Sequence, residues 1–415
     1  MKRLKNIVLF GALLQVILSF PAPVLAAPLY SEVWGFTLDL PEGYEYTGGD
    51  MKDRFSFRTG DGAAFDLVVY PGTYQSVEDL AKDAARRIGN QGGIDFFDYR
   101  TRKAAMMELK FAEGGPVSGN SRQAANMREG WGLCVELEPK SGGGSAGKSG
   151  GNARGSAPLL LALAYGPAGK ADLEALHLSA LDSIAPSATE QHYCGPVTEF
   201  TWPRGELKKV SLDGGISGTP GIEALIAEND AEAAQALVDR EFALLRRYID
   251  SPLLKEAKAR FYRAIYRDSW ERIADACFQL ERSWTVRALH GGTALSEAAL
   301  ASKALEFVQG FAYERDLMGS DFVNLVSAVS EGRGDCDSRA LLWAVILSQA
   351  NIPSCIMVSG DYSHAMGLAD ITGTGARFEF EGKKWLVAET TTPVTIGLIR
   401  QDISRKDRWL GVSFE

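Results

Sequence analysis

Residues 330–352 read SEGRGDCDSRALLWAVILSQANI. From Ala340 to Leu347 this stretch is apolar at every position, and a helix that is apolar on nearly every side belongs inside a core. Strand patterns follow at Cys355–Val358, His364–Ile371, Phe378–Phe380 and Lys384–Thr390, with Glu381-Gly382 placed to turn the last two into a hairpin. A buried helix followed by such strands predicts an α+β domain over residues 301–415.

The start of that helix is where chemistry is expected. Cys336 follows Gly332 and Gly334, which permit a tight turn into the helix, and Asp335 or Asp337 can cap the exposed amides. At a helix N-terminus the free N–H groups and the macrodipole favour a thiolate, and a neighbouring imidazolium favours it further. His364 comes 28 residues later at the head of a strand, placed to act as base and then as acid. Glu389 comes 25 residues after that, where a carboxylate would fix the imidazole tautomer. Each residue has a plainer alternative. Cys336 would otherwise be a buried structural thiol, His364 a packed or surface ring, and Glu389 a solvated strand-end carboxylate, with Asp370 a rival partner for the histidine. Trp385 and Tyr313 are candidates to line the cleft, or to fill a core.

With these motifs in place, residues 304–399 resemble the bacterial and archaeal transglutaminase-like domains of the papain fold: FVQGFAYERD, then the Cys336 stretch, then SHAMGLAD, then KKWLVAETTTPVTIG. The resemblance covers about a quarter of the chain. It implies Cys336 as nucleophile, His364 as base and Glu389 as the third member, a position that is Asp in many relatives. Acyl transfer to amines, amide hydrolysis and cross-link cleavage are all implied as classes. The chain departs at Asp337-Ser338, where a more acidic pair is common, and at Met366, where an aromatic residue often follows the histidine.

Outward from this domain, residues 219–300 read as a helical segment. Pro220 would open a helix to about Ile249, a second would run from Leu253 to Ser283, and a third from Ser296 to Gln309. The charged residues of the first two read as a solvated face. Residues 188–218, irregular and rich in Gly and Pro, read as a linker. Residues 30–187 read as an N-terminal α+β domain, with β-like runs at Glu32–Leu40, Phe65–Tyr70, Ala104–Phe111, Trp131–Leu137 and Pro158–Tyr165 forming one antiparallel sheet. Ser76 caps a helix carrying Leu80, Ala84 and Ile88, and a second helix is expected from Ala171 to Ile184. The Gly/Ser tract 141–157 reads as an extended connection between two strands of that sheet. The order of elements resembles the PsbP-like fold, which implies an accessory or binding role.

Residues 1–26 read as a secretory signal peptide: Lys2, Arg3 and Lys5, an apolar run from Ile7 to Phe20, and a small-residue cleavage site at Ala26 without a lipid-accepting cysteine. A periplasmic or secreted protein with no later membrane span is the expectation. The composition, 46% hydrophobic and 23% charged with a formal charge of −9, is that of a globular protein without a basic nucleic-acid face. Five cysteines leave at least one thiol unpaired. Cys355 reads as core, and Cys134 as core or as a partner for Cys194. No metal-ligand spacing is present and no cofactor is implied. The expected partner is a protein, peptide or peptidoglycan-type amide substrate. A non-catalytic papain-fold scaffold for a peptide or cell-envelope partner is the alternative.

Overall fold

The computed structural model describes residues 28–114, 126–138, 157–212, 221–292, 294–315 and 320–414. The proposed signal peptide, Pro220 and nearly all of the Gly/Ser tract lie outside the described residues. The chain is mixed α+β. Seven strands form a large antiparallel sheet: β1 (Glu45–Gly49), β2 (Arg54–Arg58), β3 (Ala64–Tyr70), β4 (Ile94–Tyr99), β5 (Arg102–Ala112), β6 (Met127–Glu136) and β7 (Leu159–Pro167), in the order β1-β2-β3-β7-β6-β5-β4. Helix α1 (Val77–Ile88) is capped by Ser76, whose hydroxyl accepts from the Asp79 N–H, and ends at Gly89 in the left-handed region. It covers one face of the sheet, while α2 (Glu174–Asp182) and α3 (Pro196–Thr201) cover the other. The Gly/Ser tract connects β6 and β7, which are paired neighbours.

Several local expectations give way to long-range pairing. Of the run Glu32–Leu40, only Thr37–Leu38 is strand, and it pairs with Leu29–Tyr30 rather than joining the large sheet. Residues 188–218 contain α3 and β8 (Leu207–Ser211), and β8 pairs with β9 (Glu223–Ala227) inside the segment expected to be helical. Alternating burial of Ala224 and Ile226 under this hairpin gives residues 223–227 a strand's period, so helix α4 starts only at Asp230 and runs to Leu245. The long helix expected from Leu253 breaks at Ile273 into α5 (Leu254–Arg272) and α6 (Ala274–His290).

Helix α7 (Glu297–Gln309), capped by Ser296, leads through α8 (Leu325–Glu331) to α9 (Cys336–Gln349). A five-stranded antiparallel sheet backs α9: β10 (Ser354–Ser359), β11 (His364–Ala369), β12 (Arg377–Phe380), β13 (Lys383–Ala388) and β14 (Leu410–Val412), in the order β12-β13-β11-β10-β14. Glu381 and Gly382, both at positive φ, make the expected hairpin turn. Helix α9 is buried from Ser338 to Leu347, and its Trp343 indole donates to the Ala301 carbonyl of α7 at 3.1 Å. Gly367 of β11 lies directly under that indole, where a Cβ would fall 2.3 Å from Trp343 Cε3, so sheet and helix approach this closely only with glycine there. One core cluster runs from Leu212 to Val412, so the helices α4–α6 share their core with the sheet behind α9. No described helix is long and apolar enough to cross a membrane.

The charged residues of α4 and α5 form a solvated face only in part: Glu232, Asp239 and Lys255 are exposed, while others are drawn into an interface. Arg260 is 2% exposed and Glu241 1%, because α5 packs against the N-terminal sheet unit. Arg260 Nη1 donates to Glu241 Oε2 at 2.8 Å and to Ser179 Oγ at 3.0 Å, and its Nε to Glu42 Oε2 at 3.2 Å. Arg263 pairs with Asp39 at 2.9 Å, and Arg267 donates to the carbonyls of Tyr193, Asp182 and Ile184 at 2.9–3.0 Å. Helical spacing shows only that these residues share a side of α5, and the sheet unit that covers that side comes from distant chain.

Candidate active site

Gly332, at φ 64°, closes α8 by donating to Ala328, and Arg333-Gly334 then pairs in parallel with Ala312-Tyr313. Asp335 follows in extended conformation as the N-cap of α9. Its Oδ1 accepts from the Ser338 N–H at 2.8 Å and the Ser338 hydroxyl at 2.6 Å. Cys336 therefore occupies the first helical position, as its neighbours suggest. Arg339, one turn on, is buried and donates to the Gly334 carbonyl at 3.0 Å and the Phe311 carbonyl at 2.8 Å, which ties the turn to the residue before the Ala312–Tyr313 strand. Nothing in the local sequence distinguishes this arginine from a surface one.

The Cys336 side chain is 7% exposed, and the sulfur lies against β11, where the backbone N–H of Ala365 is directed at it. The residue before Ala365 is His364. Its Nε2 is 2.8 Å from Glu389 Oε2, and the other carboxylate oxygen accepts from the Thr391 N–H at 2.8 Å and hydroxyl at 2.6 Å. Gln309 of α7 donates to the Glu389 carbonyl at 2.7 Å. Burial pushes the Glu389 carboxyl up, but the hydrogen bond and charge of His364 and the two donations from Thr391 outweigh it and hold the carboxyl below its ordinary value. With Nε2–H engaged by a carboxylate, the lone pair is left on Nδ1, the tautomer a base needs. Asp370, the rival partner, lies instead 3.9 Å from Lys383. Trp409, the residue before β14, packs edge-on to the His364 ring at 6.3 Å, a contact that no motif announced.

The thiol itself departs from expectation. The helix N-terminus and an imidazolium were expected to lower its pKa. Burial, followed by the charges of Asp337 and Asp335, instead pushes Cys336 up to about 12. The sulfur and one oxygen of each aspartate lie within 4.8 Å of one another, so any thiolate forms beside two carboxyl groups. This is the one grouping of metal-ligating type among the described residues. Asp335 Oδ1 is committed to the helix cap, however, and Asp337 Oδ1 accepts from Tyr262 at 3.0 Å. Of the two cleft candidates, Tyr313 is exposed near Arg339, whose guanidinium lies 5.5 Å from its ring. Trp385 is buried in a separate cluster and its indole donates to Phe380 at 3.0 Å. None of the five cysteines forms a disulfide. Cys134 and Cys355 are in cores, and Cys194 donates to Glu199 at 3.0 Å, so Cys134 and Cys194 are not paired.

Burial, then the charge of Asp337, raises the Asp335 carboxyl to about 7. Between the ordinary aspartate value and about 7 the native state holds a proton that the unfolded chain has released. This contribution to stability is complete below that window and lost as pH rises through it. Asp335→Asn retains a capping oxygen and should flatten the decline, whose slope from this one group is at most about 1.4 kcal/mol per pH unit. Urea midpoints measured across the window would read it, and parallel declines in both proteins would refute it.

No family model matches the chain, and no curated protein matches it. Among solved structures, a crystal structure of a protein from Bacteroides thetaiotaomicron VPI-5482 is similar over 58% of this chain and 77% of its own, at 13% identity and a TM-score of 0.24. A likeness this slight carries no argument about fold or function.

Proposed function

We propose that the chain is an exported cysteine enzyme of the transglutaminase-like kind, acting on an amide through an acyl-thioester at Cys336. The observation that carries the reading is the 2.8 Å contact of His364 Nε2 with Glu389, on the strand residue adjoining the one whose N–H is directed at the Cys336 sulfur. Because the resting thiol is protonated at neutral pH, the proton leaves sulfur during attack rather than before it. Sulfur adds to the carbonyl carbon while its proton passes to His364 Nδ1. The tetrahedral intermediate expels the amine, which takes that proton, and leaves the thioester. Water or a second amine then displaces sulfur, giving acid or a new amide and restoring the thiol. In this reading backbone N–H groups at the start of α9 receive the oxyanion. The substrate class is a protein, peptide or peptidoglycan-type amide, with the N-terminal unit, PsbP-like in this reading, as a recognition or targeting module.

The 7% exposure of Cys336 and its raised pKa favour a second reading, a non-catalytic scaffold that binds a peptide or cell-envelope partner. One experiment separates the two. An activated ester incubated with the full chain at neutral pH should acylate Cys336, seen as an added acyl mass on the peptide containing it, and Cys336→Ala should take up none. Equal labelling of the variant, or no labelling of either protein, would leave the scaffold.

A further inference from the structure

Helix α5 stands between the N-terminal unit and α9. Arg260, Arg263 and Arg267 grip the N-terminal unit, while Tyr262 reaches Asp337 and Tyr266 stacks on Phe414 of the C-terminal segment at 4.1 Å. The Tyr262 side chain is nearly buried, and its ring meets Phe261 at 5.2 Å, a contact phenylalanine would keep. Its hydroxyl is the part that packing does not explain: it donates to Asp337 Oδ1 at 3.0 Å, across 75 residues of sequence.

We propose that Tyr262 is a positioning residue of the Cys336 site, which by donating to Asp337 Oδ1 fixes that carboxylate as the counter-charge for the imidazolium formed when His364 takes the thiol proton. This rests on the reading of Cys336 and His364 as nucleophile and base. Tyr262 from α5 is hydrogen-bonded to Asp337, Asp335 and Cys336 adjoin it in its own turn, and the charges of His364 from β11, Lys258 from α5 and Arg315 from the segment after Tyr313 also act on it. Burial raises the Asp337 carboxyl, and the hydrogen bond from Tyr262 is the strongest influence opposing that, followed by the charges of His364, Lys258 and Arg315. Removing the hydroxyl lets Asp337 take up a proton at higher pH. This eases the repulsion that raises the Cys336 thiol, but sulfur ends neutral in its new bond to carbon while the ring keeps the proton, so the lost support for the imidazolium decides the rate. Tyr262 lies outside the stretch that carries the catalytic motifs, on a helix clamped by the N-terminal unit. That unit therefore helps set where the hydroxyl stands.

The test follows the rate of Cys336 modification by iodoacetamide in the full chain across the acid and neutral range, read by mass spectrometry. Cys336→Ala supplies the background from the four other thiols. In the parent protein His364→Ala should slow the reaction and abolish its acid limb. Tyr262→Phe should stay folded with a melting temperature a few degrees lower for the lost buried hydrogen bond, move the acid limb to higher pH and slow modification about 10-fold on that limb, the equivalent of one pKa unit. Asp337→Asn should slow it comparably, and Tyr262→Phe added to Asp337→Asn should change nothing further. A parent-like or faster Tyr262→Phe profile, or an undiminished effect in the Asp337→Asn background, overturns the role of Tyr262 while leaving the pair intact. Indifference of the parent reaction to His364→Ala removes the nucleophile–base pair, and the inference with it.

Discussion

Glu389→Gln should slow acylation of Cys336 by about 10^4-fold, the loss that follows when the carboxylate of a nucleophile–imidazole–acid triad becomes an amide. The reason lies in Thr391. Its N–H and hydroxyl both donate to Glu389 Oε1, so in the glutamine variant the amide oxygen must take that place and the NH2 group must face His364 Nε2. An N–H donor there requires a lone pair on Nε2, which puts the ring proton on Nδ1 and leaves no base for the thiol. Glutamine is otherwise close in size and shape, so the fold should hold and the melting temperature should change little. Stopped-flow rates with the activated ester, at equal thermal stability, measure the effect. A variant that acylates at the parent rate would show that the His364–Glu389 contact is structural.

Arg260→Ala should destabilise the protein by about 3–5 kcal/mol, the cost of taking one partner from a buried ionic cluster. Arg260 is enclosed between Glu42 on the N-terminal unit and Glu241 on α4, and each of those side chains is 1% exposed. Without the guanidinium, Glu42 remains buried with no counter-ion and Glu241 keeps only Arg240, at 3.0 Å. The loss should appear as a lower urea midpoint, with Lys255→Ala, an exposed position on the same helix, staying within about 0.5 kcal/mol of the parent. If Arg260→Ala matched Lys255→Ala, the two units would not be held together by this cluster. Because α5 also carries Tyr262, loosening the cluster is further expected to reduce the reactivity of Cys336.

What adjoining residues encode was legible in the sequence. Ser76 caps its helix, Asp335 is the one of the two candidate aspartates that caps α9, Glu381-Gly382 turns its hairpin, and the run from Ala340 to Leu347 is buried on all sides, since each depends on contacts within a few positions. The order Cys336, His364, Glu389 could be read for the same reason: each lies in a short pattern that puts it at a helix start, at the head of a strand or just past the end of one. Tertiary structure alone decided the rest. It paired His364 with Glu389 and left Asp370 to Lys383. It brought Tyr262 and Trp409 to the site from outside the motifs. It turned the charged side of α5 into an interface, and it raised the Cys336 thiol where helix position alone argues for lowering it. Burial and the charges that meet across it depend on segments far apart in the chain, and a local pattern carries no record of which segment will cover it.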